Sequence, residues 1–246
     1  MDWTDDGIVL AARRHGETSL VLSLLTQTHG RHAGLVRGGA GRRGRAPYEP
    51  GNRVRATWKA RLAEHLGTFV CEPVGVTAAA FLDDPGRLAA LSSACALVEA
   101  ALPEREPHPN AYEGLAALIG ALAQPNYAGA YVRWELALLT ELGFGLDLAS
   151  CAATGSNDDL AFVSPKSGRA VSAAAAEPYR RRLLPLPRFL IAPVEPAGPE
   201  IAEGLRLTGH FLAEHVFAHR PGGTPAARTR LVERLLRQGR AAEART

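Results

Sequence analysis

The side chains with most to say about chemistry lie between residues 31 and 61. Nine are basic (Arg31, Arg37, Arg42, Arg43, Arg45, Arg53, Arg55, Lys59 and Arg61) against one acid, Glu49, so the segment carries +8 in a chain whose formal total is +3. The remainder is mildly acidic, and charge concentrated in this way is the footprint of a phosphate-backbone binder. Within the segment the residue types alternate. Val54, Ala56, Trp58, Ala60 and Leu62 fall on one face of a predicted strand, and Arg53, Arg55, Thr57, Lys59 and Arg61 on the other, because successive strand side chains point to opposite sides. The four cations recur about 7 Å apart, twice the strand rise, except across Thr57. That is close to the phosphate spacing of an extended single strand. Like charges on one ribbon repel and add nothing to stability unless a neighbouring strand supplies acids, and few acids are available nearby. The same alternation puts Trp58 in the core.

Residues 38–47, Gly-Gly-Ala-Gly-Arg-Arg-Gly-Arg-Ala-Pro, formally contain G-x-G-x-x-G at Gly39, Gly41 and Gly44. A dinucleotide site needs a helix to follow, so that its first amides meet the pyrophosphate; here Pro47 and Pro50 follow, with no βαβ unit around them. Three arginines on a glycine-rich loop describe instead a mobile arm that adapts to a phosphate chain. The expected polynucleotide contacts are therefore Arg37, Arg42, Arg43, Arg45, Arg53, Arg55, Lys59 and Arg61.

Catalytic patterns are missing. There is no G-x-x-x-x-G-K-[ST] loop and no G-x-S-x-G elbow. His215 and His219 are four apart, with His210 a turn earlier, but Val-Phe-Ala separates the pair where a zincin needs H-E-x-x-H; helix packing is the better reading. Asp5-Asp6, Asp83-Asp84 and Asp158-Asp159 sit beside turn formers and read as solvated turns or caps. Cys71, Cys95 and Cys151 are odd in number and far apart, which implies neither a disulfide framework nor a four-cysteine zinc site. The expectation is a binding protein with no catalytic centre, metal or cofactor.

The elements that must position these residues are short strands and then helices. Strands are expected at Gly7–Arg13, Ser19–Thr26, around Leu35 and Val36, at Val54–Leu62 and at Leu66–Val76, the last with Pro73 at an edge. Five short strands in about 70 residues fit a small barrel of the oligonucleotide-binding (OB) type. After Asp83-Asp84-Pro85 the periodicity becomes helical: Arg87–Leu102, Asn110 to about Ala123, and a helix capped by Asn126 carrying Tyr127, Tyr131, Trp134, Leu138 and Leu142, ended by Gly143. Residues 146–192 are proline- and serine-rich and irregular. Two helices close the chain, about Pro199–Ala218 and, capped by Thr224, to about Gln238, with Arg228, Arg230, Arg234 and Arg237 mostly exposed. The organisation is α+β: an N-terminal five-stranded barrel in 1–80, then a helical domain in 81–246 with 146–192 as an inserted lobe. With 46% hydrophobic residues, no apolar run of the roughly 20 residues that span a bilayer and an acidic N-terminus, the chain is expected in the cytoplasm.

The order of several short motifs resembles the bacterial RecO family. Gly7-Ile8-Val9-Leu10 with Gly16-Glu17-Thr18-Ser19, then Thr28-His29-Gly30-Arg31, Gly34-Leu35-Val36-Arg37-Gly38 and Pro50-Gly51, resemble its opening. Arg133-Trp134-Glu135-Leu136-Ala137-Leu138-Leu139 with Leu142-Gly143-Phe144-Gly145 resembles its most recognisable run, continued by Cys151-Ala152-Ala153-Thr154-Gly155 and Ser164-Pro165-Lys166-Ser167-Gly168. The resemblance implies an OB domain, a helical domain and a small zinc-ribbon-like lobe. It implies a recombination mediator that binds and anneals single-stranded DNA, with double-stranded DNA as a further ligand, and works with RecR and RecF. Such a mediator helps the RecA recombinase onto gaps coated with single-stranded DNA-binding protein. Many relatives build the lobe on four cysteines, whereas here only Cys151 stands at such a position, so zinc is not expected. The resemblance also puts Arg133 near a pocket for the acidic, carboxylate-ended tail of single-stranded DNA-binding protein. Two other classes fit the residues alone: an RNA-binding OB module of translation or ribosome assembly, and a metal-dependent nuclease using the acidic pairs.

Overall fold

The acidic N-terminus is strand rather than turn. The protein, described by a computed structural model for residues 1–196 and 198–243, with the side chains of residues 42, 43, 198 and 241–243 outside the described residues, opens with β1, Asp2–His15. Then come β2 (Ser19–Thr26), β3 (Gly30–Val36), β4 (Arg53–Lys59) and β5 (Thr68–Gly75). Their order, β1-β2-β3-β5-β4, returns to β1 and closes a barrel. β1 is long because it pairs twice: its second half with β2 and its first half, Asp2 to Ile8, antiparallel with β4. Val9, Leu20, Leu22, Leu24, Val54, Ala56, Trp58 and Phe69 fill the interior, as the alternation on β4 requires. One seam is weak. β3 and β5 are parallel and share a single paired position, Leu35 with Thr68. An open cleft of about 410 Å³ lies there between Val36, Arg37, Tyr48 and residues 68–71. Pro73 lies on β5 beyond that position and pairs only with Val54 of β4, the edge setting a residue without an amide hydrogen tolerates.

Between β3 and β4 the glycine-arginine segment forms a one-turn helix, α1 (Arg42–Arg45), and a 3₁₀ turn, Ala46–Tyr48. After β5 comes α2 (Pro85–Ala101), whose N-cap Asp84 accepts from the amides of Gly86 and Arg87 at 3.0 and 3.1 Å. α2 lies against the barrel: Arg13 of β1 pairs with Glu99 at 2.7 Å, and Leu91 fills the space over Gly51, where a Cβ would come within 2.5 Å of it. The proline-bounded connection that follows runs beside β3. Arg105 N donates to Arg31 O at 2.7 Å, and Arg31 Nε donates to Leu102 O at 2.8 Å. Gly30, at φ +66°, is needed there, since a Cβ would stand 1.9 Å from the Glu106 carbonyl oxygen. α3 (Pro109–Ala121) completes a first contact unit, Met1–Gly120; the second is Ala121–Thr246.

The second unit is built on α4 (Tyr127–Glu141), α6 (Gly198–Phe211) and α7 (Ala226–Glu243) around Tyr131, Val132, Leu138, Phe189, Phe211 and Leu231. Asn126 does not cap α4 with its side chain; its amide donates to Glu195 at 2.7 Å. At the other end Phe144 N reaches Leu139 O and Gly143 N reaches Thr140 O, the double closure that a left-handed glycine permits. The irregular stretch contains β6 (Leu160–Val163), β7 (Ala170–Ser172) and β8 (Leu184–Pro185) in the order β7-β6-β8, with the short α5 (Ala173–Ala176) and a 3₁₀ helix, Glu177–Arg182. Arg228 corrects the sequence reading: it is buried, with Nε and Nη2 donating to the buried Glu135 at 2.7 and 2.8 Å. Gly209 makes the room, since a Cβ there would meet the guanidinium at 2.8 Å. Strands first and helices after make an α+β protein.

Candidate nucleic-acid interface

On β4 the alternation holds residue by residue: Arg53, Arg55 and Lys59 are exposed while Val54, Ala56 and Trp58 are buried. Trp58 is core, its indole N–H donating to Leu66 O at 3.0 Å. The row is not free of acids, and here the sequence reading is corrected. Because β1 starts at Asp2, its outer face sets Asp6 beside Arg55 and Asp2 beside Lys59, while β5 sets Glu72 on the other flank of Arg55. Asp6 takes Arg55 Nε at 3.0 Å and Nη2 at 3.4 Å. This hydrogen bond and charge hold the guanidinium pKa above its ordinary value. Asp5, on the opposite face, accepts from Thr28 and His29. Burial raises its pKa, but those hydrogen bonds outweigh it and the net shift is downward.

The other predicted contacts divide. Arg53 is exposed on β4, facing Ile8 of β1 and Gly75 of β5 in register. Lys59 is exposed with no carboxylate within 4.0 Å among the described residues, although Asp2 is its partner in register. Arg61 lies past the end of β4, in the turn before β5, and so is not part of the strand row. Arg37 is exposed immediately after β3, at the mouth of the seam cleft. Arg45 pairs with Glu49 at 3.5 Å. The side chains of Arg42 and Arg43 lie outside the described residues, but their backbone belongs to α1. Sequence reasoning passed over Arg14, which the extension of β1 places exposed at this end of the barrel, 3.5 Å from Ala40 O. The signal was its place directly after Arg13, where the predicted strand was ended one residue too soon.

In the second unit Arg133 donates from Nε to Phe189 O at 3.2 Å and from Nη2 to Val194 O at 3.0 Å, and lies over the Phe189 ring at 5.1 Å. It holds the chain before α6 in place. Asp147, on the lobe side, pairs with Arg169 at 3.2 Å. The lobe does not suit a zinc ion. Cys151 Sγ accepts from the Ser172 amide at 3.3 Å and lies 3.5 Å from its hydroxyl, and no group of three His, Cys, Asp or Glu side chains converges among the described residues. His215 stacks on Phe144 and Phe211 at 5.3 and 5.8 Å, and His210 approaches Pro165 O at 3.3 Å. These are packing roles.

Among the described residues no helix is long and apolar enough to cross a membrane. Residues 1–75 match the family described as Recombination protein O N terminal, and residues 82–222 match Recombination protein O C terminal. The chain is 60% identical over 236 residues to the DNA repair protein RecO of Rhodospirillum centenum, covering 95% of this chain and 94% of that one. It is 54% identical over 245 residues to the DNA repair protein RecO of Rhodospirillum rubrum, covering 96% and 97%, and 53% identical over 235 residues to that of Methylobacterium nodulans, covering 93% and 95%. The chain belongs to the RecO family of DNA repair proteins.

Proposed function

We propose that this chain is a recombination mediator that binds single-stranded DNA on an OB-type barrel, anneals complementary strands, and helps a recombinase onto gaps coated with single-stranded DNA-binding protein. One observation carries the reading: Arg53, Arg55 and Lys59 emerge exposed from a single strand face, and among the described residues only Arg55 of the three has a carboxylate within ion-pair reach. Arg37, Arg45, Arg61 and the arm residues Arg42 and Arg43 extend the phosphate contacts, and Arg14 joins them. Counterion release supplies most of the affinity. Strands neutralised on such a surface repel one another less, which favours annealing. No bond chemistry is involved, so the protein acts as a binder and not as an enzyme; its place of action is the cytoplasm, where the DNA is. RecR and RecF are its protein partners. The acidic tail of single-stranded DNA-binding protein docks on the helical unit, where Arg133 shapes the receiving surface through its hold on Phe189 and Val194. The small sheet of the lobe is a metal-free counterpart of a zinc ribbon.

The test is anisotropy of labelled single-stranded DNA across a salt series. Reversal of Arg53, Arg55 and Lys59 to glutamate should abolish binding at the barrel and so weaken overall affinity, while the far-ultraviolet circular dichroism stays unchanged. Unaltered affinity in the folded triple variant would remove the barrel from the DNA path. An RNA strand that outcompetes DNA of the same sequence would move the protein to the RNA-binding class, since such preference requires 2′-hydroxyl contacts.

A further inference from the structure

The 3₁₀ helix Glu177–Arg182 reads Glu-Pro-Tyr-Arg-Arg-Arg, and all six residues are exposed. With three residues per turn, side chains at i and i+3 eclipse. Glu177 and Arg180 therefore share one edge, where they approach to 3.9 Å. Arg180 also lies 5.5 Å from the centre of the Phe162 ring of β6, so it is spent on holding the turn to the lobe. Tyr179 and Arg182 share the next edge. Tyr179 is 59% exposed, and neither Arg181 nor Arg182 has a carboxylate within 4.0 Å among the described residues. Two adjacent guanidiniums without counter-charge gain nothing from folding, and an aromatic ring left in water gives up its burial energy. The six residues line an open cleft of about 580 Å³.

We propose that Tyr179, Arg181 and Arg182 form a second contact for single-stranded nucleic acid, with one base stacked on the Tyr179 ring and the flanking phosphates held by the two arginines. An aromatic platform with adjacent cations is the arrangement that holds a strand without reading its sequence. The proposal deepens the reading of the chain as a single-strand binder and rests on it. Two separate contacts on one chain give annealing a direct basis, because each can hold one of the two strands.

The experiment uses the full chain and a labelled oligomer of roughly 10 nucleotides, within the site size of a single barrel. Wild type, the barrel triple reversal and Y179A/R181A/R182A are titrated for stoichiometry, salt dependence and annealing rate. The expected result is two oligomers per wild-type chain and one for each variant. The lobe variant should anneal about tenfold more slowly. For a longer strand, its slope of log K against log salt should fall by about 1.4, since each phosphate contact on a single strand contributes about 0.7. An oligomer carrying 5-iodouracil should cross-link to Tyr179 in the wild type. If the lobe variant keeps the stoichiometry, slope and annealing rate of the wild type, the second contact is refuted and the barrel reading stands. If the barrel variant keeps one oligomer that the lobe variant loses, the second contact stands. Wild-type protein that binds no oligomer overturns both. Loss of binding to polyglutamate but not to DNA would make the cluster a peptide site and end the proposal.

Discussion

Two buried or paired arginines show how little a residue type says without its partner. Arg228 sits on α7 three residues before the buried Leu231 and shares its inward face, whereas Arg230, two positions on, is exposed. What matches the buried charge is Glu135, 93 positions earlier in the chain. E135Q should leave a desolvated guanidinium unmatched and cost about 3–5 kcal/mol in urea unfolding, whereas replacing both partners with apolar residues should recover much of the loss. Arg55 is the surface counterpart. Its carboxylate partner, Asp6, competes with any phosphate for the same donors. D6N should raise affinity for single-stranded DNA and steepen the salt slope by about 0.7, one additional phosphate contact, with no measurable change in melting temperature. His32 gives a third residue-level expectation. It is packed against Trp58 and Phe69, and burial depresses its pKa below the ordinary 6.5. The unfolded chain then takes up a proton that the fold resists. Stability is therefore complete above pH 6.5 and declines as pH falls from there toward the lower folded value. Thermal melts of the wild type should show that decline, and H32Q should flatten it.

At the level of elements, β4 and α4 were legible because each carries its period within one segment: apolar and charged residues alternate through Arg53–Lys59, and aromatic and leucine side chains recur along Tyr127–Glu141. The start of β1 was not. Aspartate is depleted in strands, so Asp5 and Asp6 read as turn and Asp2 fell outside the predicted strand, and nothing local announces that their partners lie about fifty residues onward in β4. That omission made the cationic row look uncompensated. Residues 177–182 were hidden for a different reason: a 3₁₀ turn has no apolar face to detect, and the run of three arginines was the signal to follow. The connection after α2 depends on Gly30 in the same way that β4 depends on β1. G30A should place a Cβ against the Glu106 carbonyl and destabilise by more than the about 1–3 kcal/mol of left-handed backbone strain alone, measured by chemical denaturation.

For the whole molecule, the covered face of the barrel decides where the chain can be cut. α2 packs on β1, and the connection to α3 bonds along β3. A fragment ending at residue 80 should therefore expose apolar surface and aggregate. One ending near residue 123 should give a cooperative melt and retain the oligomer contact assigned to the barrel. Analytical ultracentrifugation and calorimetry of the two fragments distinguish these outcomes.

The single rung joining β3 to β5 has a kinetic meaning. A cylinder with one poorly laced side breathes there first, so backbone amides near Leu35 and along the free side of β5 should exchange with deuterium ahead of the β1–β2 hairpin. Arg37 and Tyr48 stand at that slit. A strand lying across it would act as a clasp, and the slowing of exchange at those amides would report occupancy without any label on the DNA.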